Sequence, residues 1–287
     1  MKKIFLLILI IFILAGCTAT FGKEKIAEKE QGEDQSKLEE QGQMEEAGQE
    51  SDENNAPQEP DQKPDESNAS QEEGEPALSL ESQYFNEIKE VDGKYIIQNP
   101  LNILALVNKQ YSLPDDYVPE DLVRPNVPFS FGNQDIEKSY MRKEAAQYLE
   151  KMFNDAKTAG IELFAVSGYR SYDRQETIFA NKASSSGIEA AAKVVAEPGF
   201  SEHQTGLAMD VNCKAYGTDL KESFSQTPEG IWIKNNAHRF GFILRYPKGA
   251  EHITGYSYEP WHIRYVGKQV ANEIYERGIT FEEYMGF

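Results

Sequence analysis

Apolar residues recur at three- and four-residue steps between Lys138 and Ala159: Met141, Ala145, Leu149, Met152, Phe153 and Ala156. That spacing predicts an amphipathic helix, and Gly160 suits its C-terminal cap. Shorter apolar runs predict strands at Leu101–Val107, Leu163–Ser167, Leu207–Val211, Phe242–Tyr246 and Trp261–Val266. Residues 173–196 are helical in composition and broken at Ser186-Gly187. Thr227-Pro228 starts a helix that stops by Gly241, and Lys268–Glu276 predicts a closing helix. Asp92-Gly93 is a turn signal ahead of Tyr95-Ile96-Ile97, so order is expected from near Tyr84 and firmly from Lys94. Helices and short strands alternate irregularly, which points to an α+β fold rather than a doubly wound sheet.

The amino-terminal third follows neither pattern. Ile4 to Ala15 is an unbroken apolar run after Lys2-Lys3. As a helix it reaches about 18 Å, short of a ~30 Å hydrocarbon core, so a signal-peptide core fits better than a membrane span. The end of the run, Leu14-Ala15-Gly16-Cys17, resembles the lipobox of bacterial lipoproteins. The resemblance implies cleavage after residue 16 and a diacylglyceryl group on Cys17, and two acyl chains suffice for stable anchoring. The alternative is an ordinary secretory signal with a chance cysteine. Residues 22–80 contain no aromatic residue and are rich in Glu, Gln, Asp, Ser and Pro. Such a segment cannot bury enough apolar surface to order itself, and reads as a disordered acidic tether. About 60 residues of coil span ~45 Å root-mean-square, more with like-charge repulsion.

Charge sharpens this division. The net −19 splits into +2 over residues 1–20, −14 over 21–80 and −7 over 81–287. The three expected parts are a leader over 1–16, a lipidated Cys17 with linker over 17–83, and a domain over 84–287. The acidic balance argues against nucleic acid, whose recognition needs a basic face. A hydrophobic fraction of 39% excludes a polytopic membrane protein. There are two cysteines; with Cys17 lipidated, Cys213 has no disulfide partner and reads as a small buried hydrophobe.

Candidate chemistry sits around two of the four histidines. One segment is Ser201-Glu202-His203-Gln204-Thr205-Gly206-Leu207-Ala208-Met209-Asp210; the other is Glu259-Pro260-Trp261-His262. Along a strand His203 and Asp210 would stand ~23 Å apart, and along a helix ~10 Å. Zinc holds His and carboxylate donors at about 2.0–2.2 Å, so shared ligation needs a reversal, most obviously at Thr205-Gly206. His262 could supply a third ligand, and Glu259 a nearby carboxylate base. From residue types alone, a histidine is more often structural than a ligand, and ordinary structural histidines are the favoured reading.

The segments Ser201–Asp210 and Glu259–His262 resemble the S-x-H-x-x-G-x-A-x-D and E-x-W-H signatures of the VanY-like zinc D-Ala carboxypeptidases. Ser167-Gly168-Tyr169-Arg170-Ser171 with Gln175, Gly241–Tyr246, Leu106–Lys109 and Leu113–Pro119 extend the likeness over roughly residues 100–278. It implies a zinc D,D-peptidase (hedgehog-like) fold, a small antiparallel sheet with flanking helices. It further implies one zinc on His203, Asp210 and His262, with Glu259 as catalytic base. Arg170 would hold the substrate carboxylate or polarise the scissile carbonyl, and Ser171, Gln175 and Ser201 would contact the peptide. The expected partner is the peptidoglycan stem peptide, met outside the cell membrane by a lipid-anchored enzyme. Rival readings are a stem-peptide endopeptidase on the same scaffold and a non-catalytic surface lipoprotein that binds wall peptide. Simpler roles suit the other candidates: packing or surface for His238, an exposed loop for His252, core for Trp232, Trp261, Phe242 and Tyr265, and an acid partner for Arg264. Tyr256 and Tyr258 could line the groove.

Overall fold

A computed structural model describes residues 80–287. The expected signal peptide, the lipidated Cys17 and the acidic linker up to residue 79 lie outside the described residues. In chain order the elements are β1 (Ile88–Val91), β2 (Lys94–Ile97), β3 (Tyr111–Ser112), β4 (Leu122–Val123), β5 (Met141–Arg142), α1 (Lys143–Thr158) and β6 (Leu163–Ser167). There follow α2 (Tyr172–Ser186), α3 (Ile188–Val194), β7 (Ala208–Cys213), α4 (Pro228–Asn236) and β8 (Phe242–Leu244). The last are α5 (Glu251–Thr254), β9 (His262–Tyr265), α6 (Lys268–Arg277) and α7 (Phe281–Tyr284). The arrangement is α+β, as the irregular alternation predicted.

The central sheet has four strands in the order β6-β7-β9-β8, every neighbouring pair antiparallel. Successive side chains on a strand point to opposite faces. On one face Leu163, Ala165, Met209, Val211, Cys213, Phe242, Ile263 and Tyr265 join the main core. The apolar stripe of α1, from Ala145 through Leu149, Met152 and Phe153 to Ala156, packs into the same cluster. The opposite face therefore receives the alternate residues, Asp210 on β7 with His262 and Arg264 on β9. Ile243 of β8 belongs to a second cluster that contains Leu104, Leu106, Ile274, Phe281 and Tyr284. Leu80 and Tyr84 pack against this second cluster.

Two elements depart from the sequence pattern. Leu101–Val107 forms turns instead of a strand, although Leu104–Val107 are buried. Its backbone groups are satisfied by side chains, local and distant, rather than by a ladder. Asn86 accepts from Leu106 N–H and donates to Leu106 C=O, Asn102 Oδ1 accepts from Leu104 N–H, and Arg264 Nη2 donates to the carbonyls of Ile103 and Ala105. The first helix starts at Lys143, not Lys138. Met141–Arg142 instead pairs with Leu122–Val123 as β5 with β4. Ahead of it, the 3-10 turn Glu137–Ser139 and the extended Tyr140 accept hydrogen bonds from Gly168 N–H at Lys138 C=O and from Tyr169 N–H at Tyr140 C=O. Residues 138–142 thus brace the loop that carries Arg170.

Candidate active site

Register brings the first two candidate ligands together. Asp210 of β7 pairs directly with His262 of β9, and with Ser167 of β6 on its other side. Directly opposed residues share a face, with Cβ atoms about 4.5–5.5 Å apart. The Nδ1 of His262 lies 3.1 Å from Asp210 Oδ1. The third candidate arrives through the reversal expected at Thr205-Gly206. Glu202–Thr205 forms a 3-10 turn that ends at Gly206, whose φ of 68° is the left-handed region. The chain then enters β7, which leaves His203 Nε2 3.4 Å from Asp210 Oδ2. The two imidazoles cross at 88° with centroids 4.9 Å apart.

One ligand atom from each of His203, Asp210 and His262 can be chosen so that all lie within 4.8 Å of one another. Each imidazole has its remaining nitrogen engaged elsewhere. Nδ1 of His203 lies 2.8 Å from Gly168 C=O, and Nε2 of His262 lies 3.4 Å from Glu202 Oε2. These partners turn His203 Nε2 and His262 Nδ1 toward Asp210. Two imidazoles, each oriented by an outer partner, and one carboxylate are a donor set suited to zinc with a position left open. The residues present fit the ion.

The electrostatics agree. Burial disfavours charge on Asp210, but His203 and His262 outweigh it and hold its carboxyl far below the usual range. Burial lowers the pKa of His262, yet hydrogen bonds to Asp210 and Glu202 raise it on balance to about 9. Burial and the Arg170 charge lower that of His203. In the metal-free protein a proton on His262 thus compensates Asp210, where a cation would otherwise do so.

Glu259 and Arg170 complete the cleft. Glu259 sits in the turn before β9: its N–H donates to Tyr246 C=O, and its own carbonyl accepts from His262 N–H. Its side chain is 20% exposed, with Oε2 3.8 Å from His262 Nδ1. Burial pushes its pKa up to about 7; His262 opposes the rise and Asp210 adds to it. Arg170 follows β6. Its N–H donates to His203 C=O at 3.2 Å, and its Nη1 donates to Gln175 Oε1 at 2.8 Å. Arg170, Ser201, His203, Asp210, Glu259 and His262 all line one cavity of about 230 Å³, together with Tyr246, Tyr256 and Trp261.

The chain as a whole resembles known proteins. The family model "VanY: D-alanyl-D-alanine carboxypeptidase" covers residues 138–268, and a prokaryotic membrane lipoprotein lipid attachment site matches residues 1–18. The chain is 59% identical over 207 residues to the putative carboxypeptidase YodJ of Bacillus subtilis, spanning 72% of this chain and 76% of that protein. The chain belongs to the VanY family. The solved structure of the LdcB LD-carboxypeptidase superposes with a TM-score of 0.70 at 59% identity, over 72% of this chain and 96% of that one. A vancomycin-resistance D,D-pentapeptidase VanY variant, solved with Zn(II), gives 0.51 at 33% identity, over 64% of this chain and 98% of that one. The fold is that of the VanY and LdcB peptidases.

Within this VanY domain the other expected residues take distinct places. Ser201 lines the cavity. Gln175 is only 1% exposed; it accepts from Arg170 and donates from Nε2 to Ala196 C=O, so it fixes the guanidinium from behind. Ser171 caps α2 by accepting from Arg174 N–H, and its hydroxyl donates to Glu137. Tyr256 lines the cleft and Tyr258 does not. Cys213, Phe242 and Tyr265 are core, with Trp232 and Trp261 packed against it. His238 stacks on Tyr275, while His252 is exposed. Arg264 has its acid partner, Glu202. Glu202 itself, inside the signature, is buried against Arg245 and Arg264. It stands beside His203 in the chain, and both arginines arrive from far along it.

Proposed function

We propose that this VanY-family chain is an extracytoplasmic, lipid-anchored zinc carboxypeptidase that removes the C-terminal D-Ala of peptidoglycan stem peptides. The observation that carries the reading is the convergence of His203, Asp210 and His262 in one cleft with Glu259 and Arg170. Bound to those three side chains, zinc would supply a Lewis acid for the scissile carbonyl and lower the pKa of water toward ~7.

The chain's own residues do the rest. Glu259 accepts the proton of the attacking water and passes it to the departing D-Ala amine, a task for a carboxylate that lines the same cleft as the ligands. Arg170 meets the peptide's terminal carboxylate; a guanidinium is the group for that task in an acidic protein. Gln175 and Ser167 hold that guanidinium in place. Tyr246, Tyr256 and Trp261 wall the cleft and limit water around the reacting atoms.

The tetrapeptide, with its L,D bond, is the preferred substrate in this proposal. The likeness to LdcB, an LD-carboxypeptidase at 59% identity, supports it over the D,D bond of a pentapeptide. The lipid attachment motif supports a place on the outer face of the membrane, within reach of the wall. The test is product identification by mass with each peptide. Single-residue loss from the tetrapeptide is expected; faster cleavage of the pentapeptide would reverse the preference. Release of an internal fragment would favour the endopeptidase.

A further inference from the structure

The cleft rests on a chain of buried charges that the reaction itself does not use. Glu202 and Glu282 are 1% and 2% exposed, and Arg245 and Arg264 are fully buried. Glu202 Oε1 accepts from Arg245 Nε and from Arg264 Nη1, each at 2.7 Å. Arg245 turns its other two nitrogens to Glu282 on α7, at 2.8 and 2.6 Å. Both Arg245 donors to Glu282 and the Arg264 donors to Ile103 and Ala105 leave the guanidiniums no freedom to rotate. With Oε1 taken twice, Glu202 has one free oxygen, Oε2, and it faces His262 Nε2 at 3.4 Å.

We propose that Glu202 is a positioning residue for the metal centre: it keeps the His262 proton on Nε2 and so commits Nδ1 to the ion. This rests on the ligand role given to His262 above. A second partner on the far nitrogen fixes the tautomer and orientation of an imidazole ligand and raises its basicity. Here that partner is a carboxylate locked by two arginines. The alternative is that Glu202 only neutralises Arg245 and Arg264. The structure contains its own control, because Glu282 is equally buried and shares Arg245 but does not touch His262.

Glu202→Gln separates the two roles. The amide oxygen can still accept from both arginines at the Oε1 position. The NH2 then replaces Oε2 and sets a donor against the Nε2–H of His262. Zinc affinity, measured by chelator competition on the purified metal-free protein, should fall about 10–100-fold. Glu282→Gln should lower the melting temperature of the metal-free protein and leave zinc affinity at the wild-type value. In zinc-loaded wild type, ¹⁵N NMR should place the His262 proton on Nε2. If Glu202→Gln does not fold, Glu202→Asp replaces it; the shorter carboxylate keeps its charge beside the arginines but retreats from the ring, and the same loss of affinity is expected. Wild-type zinc affinity in the folded Glu202 variant overturns the proposal. So does an equal loss in Glu282→Gln, or a proton on Nδ1. Failure of wild type itself to bind zinc would instead remove the metal reading on which this one stands.

Discussion

Gly206→Ala tests how the fold delivers His203 to the cleft. Gly206 ends the 3-10 turn at φ 68°, and its carbonyl accepts from Arg142 N–H at 2.8 Å. A Cβ there would stand 3.0 Å from Arg142 Cγ and 3.0 Å from Leu122 Cδ2. Arg142 cannot swing aside freely, because its Nε is paired with Asp121 at 3.0 Å and its Nη1 donates to Leu101 C=O. The left-handed conformation costs an alanine about 1–2 kcal/mol, and forcing a methyl into a filled site adds about 1–3 kcal/mol. The total, about 2–5 kcal/mol, corresponds to a melting-temperature loss of roughly 4–20 °C at 2–4 °C per kcal/mol for a domain of this size. The assay is thermal unfolding of the metal-free protein, so that metal binding does not mask the loss. Zinc affinity should fall in parallel, since strain at residue 206 displaces His203 from Asp210. A melting temperature within about 2 °C of wild type, with unchanged affinity, would refute the argument.

Other outcomes follow from the same geometry. Glu259→Gln should keep zinc and lose about 10²–10⁴-fold in turnover, because the amide keeps the shape but cannot take the proton; near-normal turnover at full zinc occupancy would remove Glu259 from its role. Zinc affinity should rise close to tenfold per pH unit between pH 6.5 and 9, because the ion must displace the His262 proton held to about 9; a flat profile in chelator competition contradicts this. In the metal-free protein, stability from that raised pKa is complete below ~6.5 and is lost as pH rises through about 9, so the urea midpoint should fall over that window. Cys17→Ala should release the protein from the membrane or leave its precursor uncleaved; a processed, membrane-bound variant would exclude lipidation at Cys17.

Much of the site was legible in the sequence because signature spacing records local geometry. The interval from His203 to Asp210 only works for one ion if the chain reverses, and Gly206 supplies the reversal. Asp210 and His262 each lie on a short strand expected from the sequence, while their direct pairing is set by the register of β7 with β9. What stayed hidden depends on partners distant in sequence. Glu202 could be given a role only once Arg245 and Arg264 were seen to converge on one of its oxygens. Gln175 stood within the likeness as a peptide contact, yet its burial directs it to Arg170 and Ala196. The run Leu101–Val107 has the composition of a strand, but Asn86 and Arg264, distant in sequence, join Asn102 within the run in satisfying its backbone. Met141 fits the period of α1 and is nevertheless used in β5, because Leu122–Val123 offers it a strand partner.

The most direct test of the central claim joins metal content to product on one preparation. The purified protein is assayed for zinc per chain, stripped with chelator, reloaded, and incubated at each stage with stem tetrapeptide. One zinc per chain, release of free D-Ala with zinc present, no release after stripping, and recovery on reloading are expected. Undiminished D-Ala release from protein shown to be free of metal would contradict it.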